Sequence, residues 1–137
     1  MMTDKFTFEL VTPEHQMIED QFDMVVVPGE AGDFGVLPNH APVISSLRAG
    51  VIVMFNDGAK SRIFVTGGFA EITAERLTVM AEEAVGTDKI ERGALEKEID
   101  DLQQEVVSGG EELEKKSTEA KLIIARAKLQ AIEQLNY

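Results

Sequence analysis

LTVMAEEAVGTDKIERGALEKEIDDLQQEV, Leu77 to Val106, contains the point at which the sequence changes its period. At its start Leu77, Val79 and Ala81 alternate with Thr78 and Met80, which marks a strand with one face buried. Past Gly86, Leu95, Ile99, Leu102 and Val106 recur at steps of four, three and four, which brings them to one face of a helix. The boundary divides the chain into residues 1–85, read as strands, and 86–137, read as helices.

Upstream of the boundary, period two returns in Phe6, Phe8 and Leu10. Turn signals punctuate the region at Thr12-Pro13, Pro28-Gly29, Asn56-Asp57-Gly58 and Gly67-Gly68. Asp57-Gly58, between Val51–Phe55 and Lys60–Val65, predicts a tight hairpin. Short strands with frequent turns predict a sandwich or barrel. Downstream, Ser108-Gly109-Gly110 ends the first helix, because glycine reaches left-handed backbone angles without a Cβ penalty. The second helix is expected to present Leu113, Ala120, Ile124, Ala127, Ala131 and Leu135 as an alanine-rich seam. So narrow a seam buries little apolar area, which predicts a marginally stable hairpin of helices.

The 137 residues suffice for one ordinary domain or a small domain with an appendage, and 44% hydrophobic content is enough for a real core. Without cysteine there is no disulfide, thiolate metal site or cysteine nucleophile. A net charge of -12 opposes phosphate backbones and anionic headgroups, so the expected partner is protein, with no nucleic acid and no direct membrane insertion. Apolar runs such as Met24–Val27 are far shorter than a bilayer span. The opening Met1-Met2-Thr3-Asp4-Lys5 has neither a secretory nor a transit pattern, which sets the cytoplasm as the expected compartment.

Residue chemistry points away from catalysis. Gly29, Gly32 and Gly35 lack the lysine and hydroxyl that complete a phosphate loop, and they read as turns. His15 and His40 have no metal-ligand spacing, and Glu82-Glu83 and Asp100-Asp101 are neighbours whose side chains diverge. Ser45-Ser46 has no nucleophile-elbow context. The expectation is a protein with no catalytic residue, cofactor or metal. In the last 24 residues Lys115, Lys116, Lys121, Arg126 and Lys128 outnumber Glu114, Glu119 and Glu133. Such a basic end either solvates the helix or seeks an acidic partner surface.

VVVPGEAGDFGVLPNHAPVISSLRAGVI, Val25 to Ile52, resembles the signature region of the epsilon subunit of bacterial F-type ATP synthases, the counterpart of mitochondrial delta. FVTGGFAEI, Phe64 to Ile72, resembles that family's glycine-pair strand. The resemblance implies an N-terminal antiparallel β-sandwich of about ten strands, binding gamma and the c-ring, and a C-terminal antiparallel two-helix hairpin with a regulatory role. It implies a non-catalytic central-stalk rotor subunit that couples proton-driven c-ring rotation to ATP synthesis, peripheral on the cytoplasmic face of the bacterial inner membrane. A free adaptor using the same fold outside a rotary motor is the alternative.

Carried over by motif, Glu30, Asp33 and His40 match the positions that meet the c-ring loops. Asp33 stands first, against a plain role in capping a turn. His40 is read equally as a histidine bonded within its own loop. Gly67 and Gly68 match positions of gamma contact or close backbone packing. In some members the last helix enters the catalytic head and blocks ATP hydrolysis; Lys115, Lys116, Lys121, Arg126 and Lys128 would meet the alpha and beta subunits there. The family's ATP-sensing pattern is poorly matched. Lys89 stands for its aspartate, Gly93 for its alanine and Gln130 for its second arginine, so no ATP binding is expected.

Overall fold

The computed structural model describes residues 4–134. The chain divides into two compact units after Gly86, one residue beyond the boundary placed by periodicity. The first holds ten strands: β1 (Phe6–Val11), β2 (Gln16–Phe22), β3 (Met24–Gly29), β4 (Gly32–Val36), β5 (Val43–Leu47), β6 (Gly50–Asn56), β7 (Ala59–Val65), β8 (Gly68–Ile72), β9 (Arg76–Ala81) and β10 (Ala84–Gly86). A 3₁₀ turn, Thr87–Lys89, opens the second unit, followed by α1 (Arg92–Ser108) and α2 (Glu112–Glu133).

Strand order runs β10-β7-β6-β3-β5-β8-β9-β1-β2, with β4 on the other side of β3. β3 joins the two layers of the sandwich. It pairs with β4 along its length, with β6 over Met24–Val26, and with β5 at Gly29 alone. The strands pair antiparallel except β1 with β9, which run parallel from Thr7↔Arg76 to Val11↔Met80. An all-antiparallel sandwich was the expectation, and this pair departs from it. No hairpin joins β1 to β9, and pairing them in parallel aligns two alternating runs so that Phe8 faces Leu77 and Leu10 faces Val79.

Alternation decides the core. Phe6, Phe8 and Leu10 of β1 point inward with Val25, Val27, Ile52, Met54, Ile63, Val65, Ala70, Ile72, Leu77 and Val79. Phe8 and Phe22 meet edge to face, with ring centroids 5.9 Å apart. The β6–β7 turn has two residues, with Asp57 at φ 53° and Gly58 at φ 81°. Both angles are positive, as a type I′ turn requires, so the Asp57-Gly58 prediction holds.

That turn is tied to the start of β1. The Lys5 ammonium donates to Asp23 Oδ1 and Asp57 Oδ1, each at 3.1 Å, and to Asn56 Oδ1; the Asp57 amide donates to Asp23 Oδ2 at 2.8 Å. The Asp57 amide, then Lys5, hold the Asp23 carboxyl below its ordinary 3.8. Arg76, then Gln16, hold Glu9 below 4.5. Carboxyls depressed in the folded state stabilise it above their unfolded values, and that contribution disappears as pH falls through the folded values. Lys5 has the opposite sense: its pKa is raised, chiefly by Asp57, so its contribution is complete below 10.5 and lost as pH rises through the folded value. The melting temperature should therefore be nearly flat from about pH 5 to 9 and fall below about pH 4. Asp23→Asn should flatten the acid limb in a pH series of thermal melts; an unaltered limb would exclude Asp23 as a contributor.

In the second unit, Leu95, Leu102, Leu122 and Ala125 form a buried cluster with Ile90, Ile99, Leu129 and Ile132 packed on it. The α1 stripe is the one that periodicity predicts, and α1 stops at Gly109, φ 86°. The α2 seam differs from expectation. Leu122, Ala125, Leu129 and Ile132 face α1, whereas Leu113 and Ala120 of the expected alanine-rich seam are exposed. Ala131 is buried and Ile124 and Ala127 are half-buried, all outside the shared cluster, while Leu135 lies outside the described residues. The physical reason is size. A seam of leucine and isoleucine removes more apolar surface from water than one of alanine, and each buried methylene contributes about 0.8 kcal/mol.

Candidate functional site

Of the residues carried over by resemblance, Glu30, Asp33 and His40 lie on and beside the β3–β4 hairpin, whereas Gly67 and Gly68 stand at the start of β8. Gly29 pairs with Gly32, which leaves Glu30-Ala31 as a two-residue tip. Asp33 sits just inside the tip, opposite Pro28. Its Oδ1 accepts from the Arg48 guanidinium at 2.5 Å, and a second guanidinium nitrogen donates to the Gly29 carbonyl at 2.5 Å. Asp33 is therefore already paired within the chain. Glu30 contributes its amide to the Ser46 carbonyl at 3.0 Å, and among the described residues its exposed carboxylate has no hydrogen bond or ion pair.

His40 is half-buried, with Nδ1 2.7 Å from the Ala41 carbonyl oxygen, a contact the protonated nitrogen makes as donor. With Phe34, Pro42 and Ile44 it lines a shallow, largely apolar depression beside the hairpin. The loop-bonded reading of His40 thus has a named partner.

Gly67 and Gly68 both have positive φ, 120° and 147°. A Cβ on Gly68 would lie 2.0 Å from the Met80 carbonyl oxygen and 3.0 Å from Ala81 Cα, whereas one on Gly67 would meet only the Leu47 carbonyl at 3.4 Å. The close approach at Gly68 is to β9 of the same chain. The residue it positions is Phe69, 54% exposed, whose cross-strand partners are Ser46 and Met80. Ile44, two residues from Ser46, shares that outer face, so Ile44, Phe69 and Met80 expose an apolar patch across β5, β8 and β9.

The five basic residues of α2 do not form one stripe. At 3.6 residues per turn, Lys115 and Arg126 flank one side of the seam facing α1, Lys121 and Lys128 flank the other, and Lys116 points away from it. The helix begins at Glu112, so it also carries four glutamates, and its basic excess is smaller than the count from residue 114 gives. Lys116 lies instead along an exposed row with Leu113, Ala120 and Ile123. Glu133 accepts from Arg92 at 2.7 Å, tying the end of α2 to the start of α1. The described residues contain no cluster of three or more metal-ligating side chains and no helix long and apolar enough to cross a membrane.

Residues 5–87 match the family profile described as the ATP synthase delta/epsilon chain β-sandwich domain, and residues 91–136 match that of the C-terminal domain of the ATP synthase epsilon chain. The ATP synthase epsilon chain of Maricaulis maris is 44% identical over 131 residues, covering 96% of this chain and 98% of that one. That of Rhodospirillum centenum is 45% identical over 137 residues, covering 96% and 94%. The chain belongs to the ATP synthase delta/epsilon family.

The fold also recurs in solved structures of much lower identity. A chain in the Euglena gracilis mitochondrial ATP synthase superposes with a TM-score of 0.84 at 19% identity, covering 93% of this chain and 81% of its own length. A chain in the Tetrahymena thermophila enzyme gives 0.64 at 12%, covering 96% and 99%. The family resemblance carried by Val25–Ile52 and Phe64–Ile72 is thus established over nearly the whole chain. Arg48 was missed from sequence because it sits fifteen residues from Asp33, at a corner between strands, where periodicity carries no contact information. Phe69 had a signal: alternation with Ala70 and Ile72 puts it on the face opposite the core.

Proposed function

We propose that this epsilon-type chain is the non-catalytic rotor subunit of the central stalk of an F-type ATP synthase. It turns with a gamma subunit and couples rotation of a c-ring, driven by protons, to ATP synthesis. The observation that carries the reading is the end-to-end match to curated epsilon chains over 96% of the sequence. The sandwich supplies two surfaces suited to the role. The Glu30-Ala31 tip offers a free carboxylate to polar c-ring loops, with Asp33 and His40 beside it. The Ile44, Phe69 and Met80 patch offers apolar area for gamma, because exposed aromatic and aliphatic side chains on adjacent strands gain most from being covered. Association with the membrane is then peripheral, through the complex, at the cytoplasmic face of a bacterial inner membrane.

The helical hairpin, with Lys115, Lys116, Lys121, Arg126 and Lys128, is the region proposed to reach the alpha and beta subunits and restrain ATP hydrolysis. Their division between two flanks favours a contact that surrounds the helix over one made along a single stripe.

A tagged chain expressed in its own cells should recover gamma, alpha and beta subunits from solubilised membranes, with ATPase activity in the recovered complex. Phe69→Glu should reduce that recovery about tenfold or more, since a carboxylate placed in an apolar contact must be desolvated without a partner. A folded chain that recovers none of these subunits would instead support an adaptor outside a rotary motor.

A further inference from the structure

We infer that Arg48 is a positioning residue, which fixes the direction of the Glu30-Ala31 tip and of the half-exposed Asp33 carboxylate beside it; this rests on the rotor reading above. Arg48 follows β5, at the corner that leads into β6. Its backbone amide donates to the Pro28 carbonyl at 3.0 Å, one guanidinium nitrogen to the Gly29 carbonyl and another to Asp33 Oδ1. One residue thus holds the last two carbonyls of β3 and the first side chain of β4 that projects past the turn. The Glu30 amide to Ser46 carbonyl bond adds a fourth tie from the same corner.

The fork geometry of a guanidinium suits this task, because two nitrogens in one plane fix an angle as well as a distance. Ladder pairing between β3 and β5 consists of the single position Gly29↔Leu47, too little to orient a hairpin by itself. The side chains are 45% and 51% exposed, so the Arg48 to Asp33 attraction is screened by solvent. Its use is orientation. Pairing also cancels the Asp33 charge locally, and Glu30 remains as the tip's unpaired carboxylate.

The test uses the assembled enzyme in sealed vesicles and reads proton pumping per ATP hydrolysed, with a thermal melt of each subunit variant alongside. Arg48→Ala should lower the pumping ratio about fivefold, the effect of roughly one net hydrogen bond. Asp33→Ala should lower it less, because the Gly29 tie remains. Arg48→Lys should fall between wild type and Arg48→Ala, since an ammonium keeps the charge without the fork. The double exchange Asp33→Arg/Arg48→Asp should recover some of the ratio lost by either exchange alone.

A normal ratio for Arg48→Ala with a lowered one for Glu30→Ala would overturn the inference and leave the rotor reading standing. A loss for Asp33→Ala with none for Arg48→Ala would show that Arg48 does not position the tip and would overturn the inference. If Glu30→Ala and Arg48→Ala both pump normally, the tip bears no load, and the c-ring contact falls together with the inference. A lowered melting temperature for Arg48→Ala with unchanged pumping would make Arg48 structural only and also overturn it.

Discussion

Gly68→Ala is expected to lower the unfolding free energy of the sandwich by about 3 kcal/mol, the sum of a strained left-handed backbone and an overpacked contact. The added Cβ would lie 2.0 Å from the Met80 carbonyl oxygen and 3.0 Å from Ala81 Cα, and both are backbone atoms that cannot rotate aside. Relief requires β8 to move off β9, which opens the ladder at Gly68↔Ala81 and tilts Phe69 out of the apolar patch. Gly67→Ala is the internal control. It has the same sign of φ but 3.4 Å of clearance, and its cost should be about 1 kcal/mol. Urea unfolding of the two variants separates the cases, and equal losses would show that conformation alone, without the clash, sets the cost. In the assembled complex Gly68→Ala should also weaken subunit recovery, while Gly67→Ala should not.

Leu102→Ala should cost about 2 to 5 kcal/mol in the helical unit, the range for a buried leucine truncated in a packed core. The unit has little to lose: among the described residues, its cluster has Leu95, Leu102, Leu122 and Ala125 as buried members. A deficit of that size is comparable to the whole stability expected of so small a core. The far-UV circular dichroism signal at 222 nm should therefore drop at 25 °C, and amide protection should vanish from α1 and α2 while persisting in the strands. Retention of full helical signal and protection would mean that α1 and α2 are held by more than their shared cluster.

Periodicity made most of the architecture legible. Alternation at Phe6, Phe8 and Leu10 and at Leu77, Val79 and Ala81 identified strands and their inner faces, and Leu95, Ile99 and Leu102 identified the first helix face. Asp57-Gly58 specified its turn because so few residue pairs accept two positive φ angles in succession. Ambiguity entered where a helix carries apolar residues on more than one side. In α2 the rows through Leu113 and through Leu122 both satisfy helical spacing, and only packing against α1 selects the second. The parallel pairing of β1 with β9 and the reach of Arg48 to Asp33 belong to tertiary topology, which no local pattern encodes. Glu30, Asp33 and His40 were found through family likeness, and their separate situations, unpaired, ion-paired and loop-bonded, became visible only in three dimensions.

The place of β3 between the two layers has a mechanical meaning. A push or drag at the Glu30-Ala31 tip travels along the axis of β3, at right angles to the hydrogen bonds that join it to β4 and β6. Those bonds are then loaded in shear and share the force together. Had the same tip been borne by a strand peeled from one end, the bonds would break in succession, each alone against the whole load. Such a hairpin resists lengthwise force stiffly, and the ties from Arg48 and Ser46 hold its tip against sideways bending, the mechanical character of a spoke more than of a hinge.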